Sequence, residues 1–244
     1  MRIDLNADLG EGMGDDAAML DVVSSANVAC GGHAGDAASM RAVCAVAVER
    51  GVRIGAHVSY PDVAGFGRVE MDLDRDALLD SMRSQLAGLT AAARETGGRV
   101  TYVKPHGALY HRVARDPGHA EVVVTLARQA GLAVVGPPGS LGLELAAAAG
   151  LTTVPEAFAD RAYLPSGSLV PRTEPGAVLE DADLIADRMV GLVRDGTVIA
   201  NDGGPVAVTA RTICVHSDTP GAVAIAIAVR RALTAAGVEI VAPG

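Results

Sequence analysis

The chain has 244 residues, half of them hydrophobic, and a formal net charge of −9. That length suits one large α/β domain, so we treat residues 1–244 as a single domain. The negative charge disfavours a nucleic-acid backbone or an anionic membrane as partner. The N-terminal residues lack a signal-peptide pattern, and no apolar run reaches the roughly 20 residues of a membrane span. The three cysteines show no CxxC spacing, which fits a reduced compartment. We therefore expect a soluble cytoplasmic protein.

The first residues combine a short strand with an unusual polar face. Ile3 and Leu5 alternate with Asp4, Asn6 and Asp8, which is the two-residue period of a β-strand. Buried unpaired charge is costly, so these polar side chains need either solvent or a function. A glycine-rich turn follows at once. We interpret the stretch as a strand whose polar end opens into an active site.

Strand and helix patterns alternate along the rest of the chain. Strands are predicted at residues 27–30, 52–56, 100–103, 132–135, 151–154, 212–215 and 239–241. Helices are predicted from Asp36 to Gly51, at 79–93, from Asp116-Pro117, at 141–149, from Asp181, and from Thr219-Pro220 to Gly237. Such alternation is typical of a parallel sheet with helices outside it. About seven strand–helix units fit, which favours a (β/α) barrel over a doubly wound sheet.

Four predicted strands end at a histidine. These are His33, His57, His106 and His216. Any one of them alone is more simply a satisfied core or surface histidine. The carboxyl ends of parallel strands, however, are where α/β folds build their sites. Four histidines at the same topological end therefore favour one shared pocket.

Charged residues near the same strand ends extend this candidate site. Lys104 either extends its amine to solvent or polarises an oxyanion, phosphate or carboxylate. Arg161 and Arg172 lie in loops, either as members of surface Asp–Arg pairs or as ligands of a substrate carboxylate. His216 and Asp218 precede a predicted helix start, whose N–H groups can hold an anion.

Several common motifs are missing. Gly10, Gly12 and Gly14 do not form a dinucleotide fingerprint, because the third glycine comes one residue early and Glu11 would repel a pyrophosphate. The sequence has no P-loop lysine motif and no G-x-S-x-G elbow. Cys30 is expected to be a small buried thiol rather than a nucleophile.

A metal site is an open alternative. An aspartate with two strand-end histidines can hold a metal that activates water, which makes Asp8, His33 and His57 candidate ligands. The usual i, i+4 or H-x-x-H spacing is absent. Whether a metal binds stays undecided at this point.

Taken together, the motifs resemble the LamB/YcsF family of 5-oxoprolinase subunits. The stretches that carry the resemblance are residues 4–12 (DLNADLGEG), 24–36 (SSANVACGGHAGD), 55–57 (GAH), 60–62 (YPD), 66–68 (FGR), 103–110 (VKPHGALY), 156–161 (EAFADR), 167–172 (GSLVPR) and 213–216 (ICVH) with Asp218. They lie in order over nearly the whole chain, so the match is specific although each stretch alone is weak.

The resemblance implies a glycoside hydrolase/deacetylase-like (β/α)7 barrel. It also implies ATP-dependent opening of the lactam of 5-oxo-L-proline (pyroglutamate) to L-glutamate, together with partner subunits B and C. ATP would be a co-substrate with Mg²⁺, bound by this chain or by its partners. The alternatives are a metal-dependent, deacetylase-like hydrolase and a non-catalytic subunit of such a complex.

We assign catalysis to Asp8, Lys104 and His106. Asp8 is the candidate general base for water, and the other two would stabilise a developing oxyanion or phosphate. The residues expected to bind substrate are Asn6, Glu11, His33, His57, Arg161, Arg172 and His216.

Overall fold

The computed structural model of the chain describes residues 1–243. Its strands are β1 (Arg2–Leu9), β2 (Ser25–Ala29), β3 (Arg53–Val58), β4 (Val100–Pro105), β5 (Ala133–Gly136), β6 (Thr153–Phe158), β7 (Thr197–Ile199), β8 (Pro205–Ala207), β9 (Thr212–His216) and β10 (Glu239–Ile240). Its helices are α1 (Asp16–Leu20), α2 (Ala37–Arg50), α3 (Arg75–Glu95), α4 (Gly107–Val113), α5 (Pro117–Ala130), α6 (Leu141–Ala148), α7 (Ala182–Asp195) and α8 (Ala222–Ala235).

Seven parallel strands close into a barrel in the order β1-β2-β3-β4-β5-β6-β9, and β9 pairs back with β1. The prediction of a closed (β/α)7 barrel is thereby confirmed. The short β10 adds in parallel to β1, as predicted for the last strand, and β7 and β8 form a separate antiparallel hairpin. No helix in the described part of the chain has both the length and the apolar character to cross a membrane.

Local signals explain most helix boundaries. The Asp36 side chain accepts hydrogen bonds from two backbone N–H groups at the start of α2, and Gly51 ends that helix with a left-handed backbone at φ +68°. Asp116 likewise accepts from the backbone of α5, where Pro117 takes the first helical position. These predicted boundaries are confirmed.

One predicted helix start is wrong. The last helix begins at Ala222, after Gly221 in a left-handed conformation (φ +73°), and not at Thr219. The Thr219 hydroxyl instead donates to Asp160 Oδ2 across 2.5 Å. A tertiary contact therefore holds this residue outside the helix. The sequence analysis also did not predict α1, α4 or the β7–β8 hairpin.

The polar face of β1 points into the barrel. Asp4 is buried, and its carboxylate accepts hydrogen bonds from Ser24 Oγ (2.7 Å), Ser25 Oγ (2.8 Å) and Thr212 Oγ1 (2.6 Å). Burial raises the pKa of Asp4 above its usual value despite these donors. The barrel interior is thus hydrogen-bonded, and the apolar core lies mainly between the strands and the helices.

A glycine makes room for the aromatic ring that crosses the barrel interior. A Cβ atom at Gly55 would come 2.0 Å from Cε2 of Tyr102. That ring is buried and tethered, because its hydroxyl donates to Asn27 Oδ1 across 2.7 Å. The close approach of β3 and this side chain therefore requires glycine.

We predict that Gly55→Ala lowers the free energy of unfolding by roughly 1–3 kcal/mol, since the tethered ring cannot move aside. Gly191→Ala is the matched control, because it lies within α7 and its added Cβ would meet no atom within 4 Å. That change should leave stability equal or slightly raised. Urea unfolding of both variants measures the difference, and equal stability of the two would contradict the prediction.

Candidate active site

A cavity of about 400 Å³ opens at the carboxyl ends of the barrel strands. Its lining includes Asp8, His57, Lys104, His106 and His216 from the strand ends, and Arg68, Tyr110, His111, Phe158, Arg161 and Arg172 from the loops and neighbouring elements. Three of the four predicted strand-end histidines, His57, His106 and His216, thus converge on the cavity. Arginines line it from two loops, residues 59–74 and residues 159–181.

Lys104 lies at the centre of the buried polar groups. Its side chain is 2% exposed, and its Nζ lies 2.8 Å from Asp8 Oδ1, 3.0 Å from Glu156 Oε1 and 3.2 Å from Cys214 Sγ. Burial alone would lower the pKa of Lys104, but Asp8 and the other anionic groups outweigh it and raise the pKa well above its usual value. The ammonium therefore stays charged, and the alternative in which it reaches solvent is wrong.

Asp8 is the carboxylate that links this lysine to the histidines. Its Oδ1 also accepts from Asn27 Nδ2 at 2.8 Å, while Oδ2 lies 3.4 Å from His57 Nε2. Burial favours the neutral acid, but the interactions with His57 and Lys104 are stronger and hold the pKa of Asp8 well below its usual value. Asp8 is therefore ionised at neutral pH.

Three histidines pack against one another beside Asp8. The rings of His33 and His106 are stacked with centroids 3.6 Å apart, and His57 meets both edge-on. His33 Nε2 lies 2.8 Å from Glu11 Oε1. Gly67 approaches the stack so closely that a Cβ there would lie 2.9 Å from the His33 Cβ. The group is consequently close-packed as well as polar.

Phe66 supports the histidine stack from a strained backbone. Its φ of +54° is unusual for an aromatic residue. In this conformation its carbonyl lies 3.0 Å from His106 Nε2, and its ring packs edge-on against His33 and His106. The strain thus accompanies a specific orientation of His106.

The loop arginines are already partly paired. Asp218 receives Arg68 Nη2 at 2.6 Å and binds Arg172 through both carboxylate oxygens. Burial would raise the pKa of Asp218, but the hydrogen bonds to Arg172 lower it to about 2. The helix start after His216, where an anion site was predicted, lies at Ala222 and not at Thr219, and the anion site itself stays a prediction.

Asp160 and Arg161 do not form the surface pair that was considered. The Asp160 carboxylate lies 3.0 Å from His216 Nδ1 and is fully buried. Burial would lower the pKa of His216, yet the Asp160 charge raises it. Arg161 is 6% exposed and donates to the carbonyls of Val170 (2.6 Å) and Ala177 (3.2 Å). These bonds therefore hold together the loop of residues 159–181, which joins β6 to α7.

The remaining predicted residues lie behind the cavity surface. Asn6 donates to Glu156 Oε1 (3.1 Å) and Thr212 Oγ1 (2.6 Å), one layer below Asp8. Glu11 and His33 lie behind His57 and His106 and are outside the lining. Cys30 is 4% exposed, and burial raises the pKa of its thiol to about 12, as expected for an inert cysteine.

Sequence reasoning missed the role of Glu156 and Asn27. Both lie in strands in which most positions are buried. In such strands the pattern of hydrophobic residues does not show which side chains point into the barrel. A usable signal was present, because an acid and an amide in otherwise apolar strands need buried partners.

Comparison with known proteins shows which family the chain belongs to. The sequence profile described as LamB/YcsF family matches residues 3–244. The chain belongs to the LamB/YcsF family. It is 57% identical over 245 aligned residues to the A subunit of 5-oxoprolinase from Streptomyces coelicolor, with 98% of each chain covered.

Solved structures agree with that assignment. The crystal structure of a lactam utilization protein from Thermus thermophilus superposes with a TM-score of 0.93 at 42% identity, covering all of both chains. A family 4 carbohydrate esterase from Streptomyces lividans reaches a TM-score of 0.54 at 12% identity, covering 98% of this chain and 91% of that one. The second likeness shows the fold alone, and it confirms the predicted deacetylase-like barrel.

We predict that Lys104→Met lowers the free energy of unfolding by roughly 3–5 kcal/mol, because two buried carboxylates lose their counter-charge. The matched control is Arg2→Met, which breaks an ion pair to Glu239 whose side chains are 74% and 57% exposed. An exposed pair contributes little, so the control should unfold like the wild type. Chemical denaturation that finds the two variants equally stable would contradict the buried-charge account.

We also predict an acid-dependent contribution from Asp218. Its folded-state pKa of about 2 is below the ordinary 3.8, so it stabilises the fold above that ordinary value by roughly 2 kcal/mol. This contribution decreases as the pH falls from about 4 toward 2. In urea unfolding between about pH 6 and pH 3, Asp218→Asn should show a shallower loss of stability than the wild type. Asp187→Asn, on an exposed position of α7, is the control and should follow the wild type.

Proposed function

We propose that the chain is the A component of a cytoplasmic, ATP-dependent 5-oxoprolinase that acts with B and C subunits. The observation that carries the proposal is the identity of 57%, over 98% of both chains, to a protein named as the A component of 5-oxoprolinase. The similarity to a protein named for lactam utilization supports the same substrate class. The reaction would open the lactam of 5-oxo-L-proline to L-glutamate.

The arginine side of the cavity suits the substrate carboxylate. Arg172 lines the cavity, and its Nε is buried with no hydrogen-bond partner among residues 1–243. A carboxylate placed there would satisfy this donor, and guanidinium–carboxylate pairs are strong and directional. Arg161 also lines the cavity, although two of its nitrogens hold loop carbonyls. Arg172 also has two nitrogens engaged, with Asp218, and we choose it as the carboxylate ligand because its Nε lacks a partner.

The strand-end side of the cavity suits the lactam. An amide is a poor electrophile, and phosphorylation of its oxygen by ATP would activate it. Addition of water to that carbon, cleavage of the C–N bond with proton transfer to nitrogen, and loss of phosphate then give glutamate. Lys104 and His106 lie where they would stabilise charge that develops on the oxygen. Since the sequence has no P-loop motif, we place ATP and Mg²⁺ on the partner subunits.

Asp8 is the proposed acceptor of the proton from water. It lines the cavity, and Oδ1 is occupied by Lys104 and Asn27, so Oδ2, which lies 3.4 Å from His57 Nε2, is the oxygen proposed to accept the proton. A lowered pKa keeps Asp8 deprotonated at every working pH, although it also makes the carboxylate a weaker base. The contact with Lys104 thus weakens Asp8 as a base but keeps its carboxylate ionised and able to accept a proton.

The decisive experiment measures glutamate release from 5-oxoproline with ATP. We expect none from this chain alone, and release when subunits B and C are added. If the complete mixture released no glutamate, the proposed function would be wrong. Hydrolysis of acetylated sugars without ATP, abolished by a chelator, would instead favour the deacetylase-like alternative.

Site variants test the residue roles within that assembly. We predict that Asp8→Asn and His106→Ala each lower glutamate formation by about 100-fold or more, because both act on the reacting groups. Circular dichroism and co-purification with B and C establish that the variants fold and assemble. Arg2→Met, in an exposed ion pair, should retain wild-type turnover. Near wild-type turnover in either site variant would refute its assignment.

A further inference from the structure

Glu11, His33, His57 and His106 form a compact group, which we call the histidine–glutamate cluster. Each lies at the carboxyl end of one of four consecutive strands, β1 to β4, or in the turn that follows. All four are nearly inaccessible, with exposed fractions of 9%, 1%, 1% and 7% respectively. One ligand-type atom from each lies within 4.8 Å of the other three.

The spacing of these atoms matches a single ion. Glu11 Oε1 lies 2.8 Å from His33 Nε2, 3.4 Å from His106 Nδ1 and 3.8 Å from His57 Nε2. His57 Nε2 and His106 Nδ1 are 2.9 Å apart. Tetrahedral bonds of about 2.0–2.1 Å separate neighbouring ligand atoms by roughly 3.3 Å. The observed separations bracket that value, so small side-chain shifts would complete the geometry.

Hydrogen bonding leaves two of the nitrogens without a proton. His57 Nδ1 lies 3.0 Å from the Lys104 carbonyl, and His106 Nε2 lies 3.0 Å from the Phe66 carbonyl. A carbonyl oxygen only accepts, so both of these ring nitrogens carry hydrogen. In neutral imidazoles, His57 Nε2 and His106 Nδ1 then present lone pairs to each other across 2.9 Å. That contact is repulsive between two neutral rings, and either a proton on one of them or a metal ion between them removes the repulsion.

His33 and Glu11 complete the cluster beside His57 and His106. His33 Nδ1 is buried and has no hydrogen-bond partner in the described chain. A proton shared by His57 and His106 would relieve their contact, with the His33 ring donating from Nε2 to Glu11. A divalent cation would instead take a lone pair from each of the four groups at once, and the His33 Nδ1 hydrogen would keep no acceptor. The carbonyls of Lys104 and Phe66 then act as the outer hydrogen-bond acceptors that metal-binding histidines usually have.

We propose that the histidine–glutamate cluster binds one divalent transition-metal ion, with Zn²⁺ as the type. Three imidazoles and one carboxylate select zinc-like ions, whereas Mg²⁺ prefers an all-oxygen site. With four protein ligands the site is of the closed kind. The ion would hold His57 and His106 in the cavity wall rather than bind substrate, and His106 would then act on developing charge through the positive charge of its metal-bound ring and not through a free N–H. The inference concerns binding to this chain and does not depend on the proposed reaction.

A second group of converging ligand atoms lies nearby, but it is not a site for the ion. Asp8, Cys214 and His216 also offer converging atoms. The Lys104 ammonium, however, already lies 2.8 Å from the Asp8 carboxylate and 3.2 Å from Cys214 Sγ. A second cation beside it would be repelled. We therefore place the ion in the cluster, and the proposed ligand set leaves out Asp8, which was a candidate ligand on sequence grounds.

Cobalt uptake by the full chain tests the proposal. Protein stripped with a chelator and dialysed is titrated with Co²⁺, whose visible absorption is intense only at four-coordinate sites. We expect this absorption to saturate at equimolar Co²⁺, to be displaced by Zn²⁺ and to be unaffected by Mg²⁺. Absence of the absorption in the wild type would overturn the proposal, as would displacement by Mg²⁺.

Variants assign the ligands. His33→Ala and the near-isosteric Glu11→Gln should each weaken Co²⁺ binding by more than about 100-fold, since loss of outer partners alone costs 10–100-fold. His111→Asn is the control, because it removes an exposed histidine that lines the cavity outside the cluster. It should bind as the wild type does. Circular dichroism checks folding, and Glu11→Gln keeps the test valid if His33→Ala unfolds. Unchanged binding in Glu11→Gln would refute the assigned ligand set, whatever the outcome of the glutamate assay.

Discussion

The buried ammonium of Lys104 is the interaction on which the interior of this barrel depends. Two carboxylates, those of Asp8 and Glu156, lie within 3.0 Å of it, and all three side chains are at most 5% exposed. Removing such charges from water costs several kcal/mol per ion, which only close pairing and further hydrogen bonds can offset. Asn6 and Asn27 supply those further bonds. The polar residues that alternate along β1 are members of this network.

The same lysine couples two parts of the candidate site. Its side chain orients Asp8, while its backbone carbonyl faces His57 Nδ1 at 3.0 Å. Because β3 and β4 pair with His57 opposite Lys104, sheet register sets both contacts. An apolar residue of similar size would often make a more stable interior. Stability alone therefore does not explain the charged interior.

The sequence predicted features that depend on local signals. The caps at Asp36 and Gly51, and the count of strand–helix units, follow from nearest-neighbour chemistry. They favoured a barrel over an open sheet, and the family resemblance implied the seven-stranded form that the structure has. Convergence of His57, His106 and His216 followed from topology, because parallel strands end on the same side.

Features that depend on tertiary contact were not predictable in the same way. The delayed start of α8 results from the Thr219 contact with Asp160, two residues that are distant in sequence. The carbonyl partners that fix the protonated nitrogens of His57 and His106 are backbone atoms, which residue identity does not reveal.

Charge is distributed unevenly around the cavity, and this asymmetry bears on how an anion would lie in it. The carboxylate of Asp8 is at a strand end and that of Glu156 lies inside β6, whereas Arg68 and Arg172, which share the single carboxylate of Asp218, line the cavity from loops. Lys104 neutralises only part of the charge of Asp8 and Glu156. A substrate with one carboxylate is consequently drawn to the arginine side, which leaves its uncharged end toward Asp8. For 5-oxoproline that uncharged end is the lactam, so the electrostatics alone favour the orientation in which the amide meets the proposed catalytic groups.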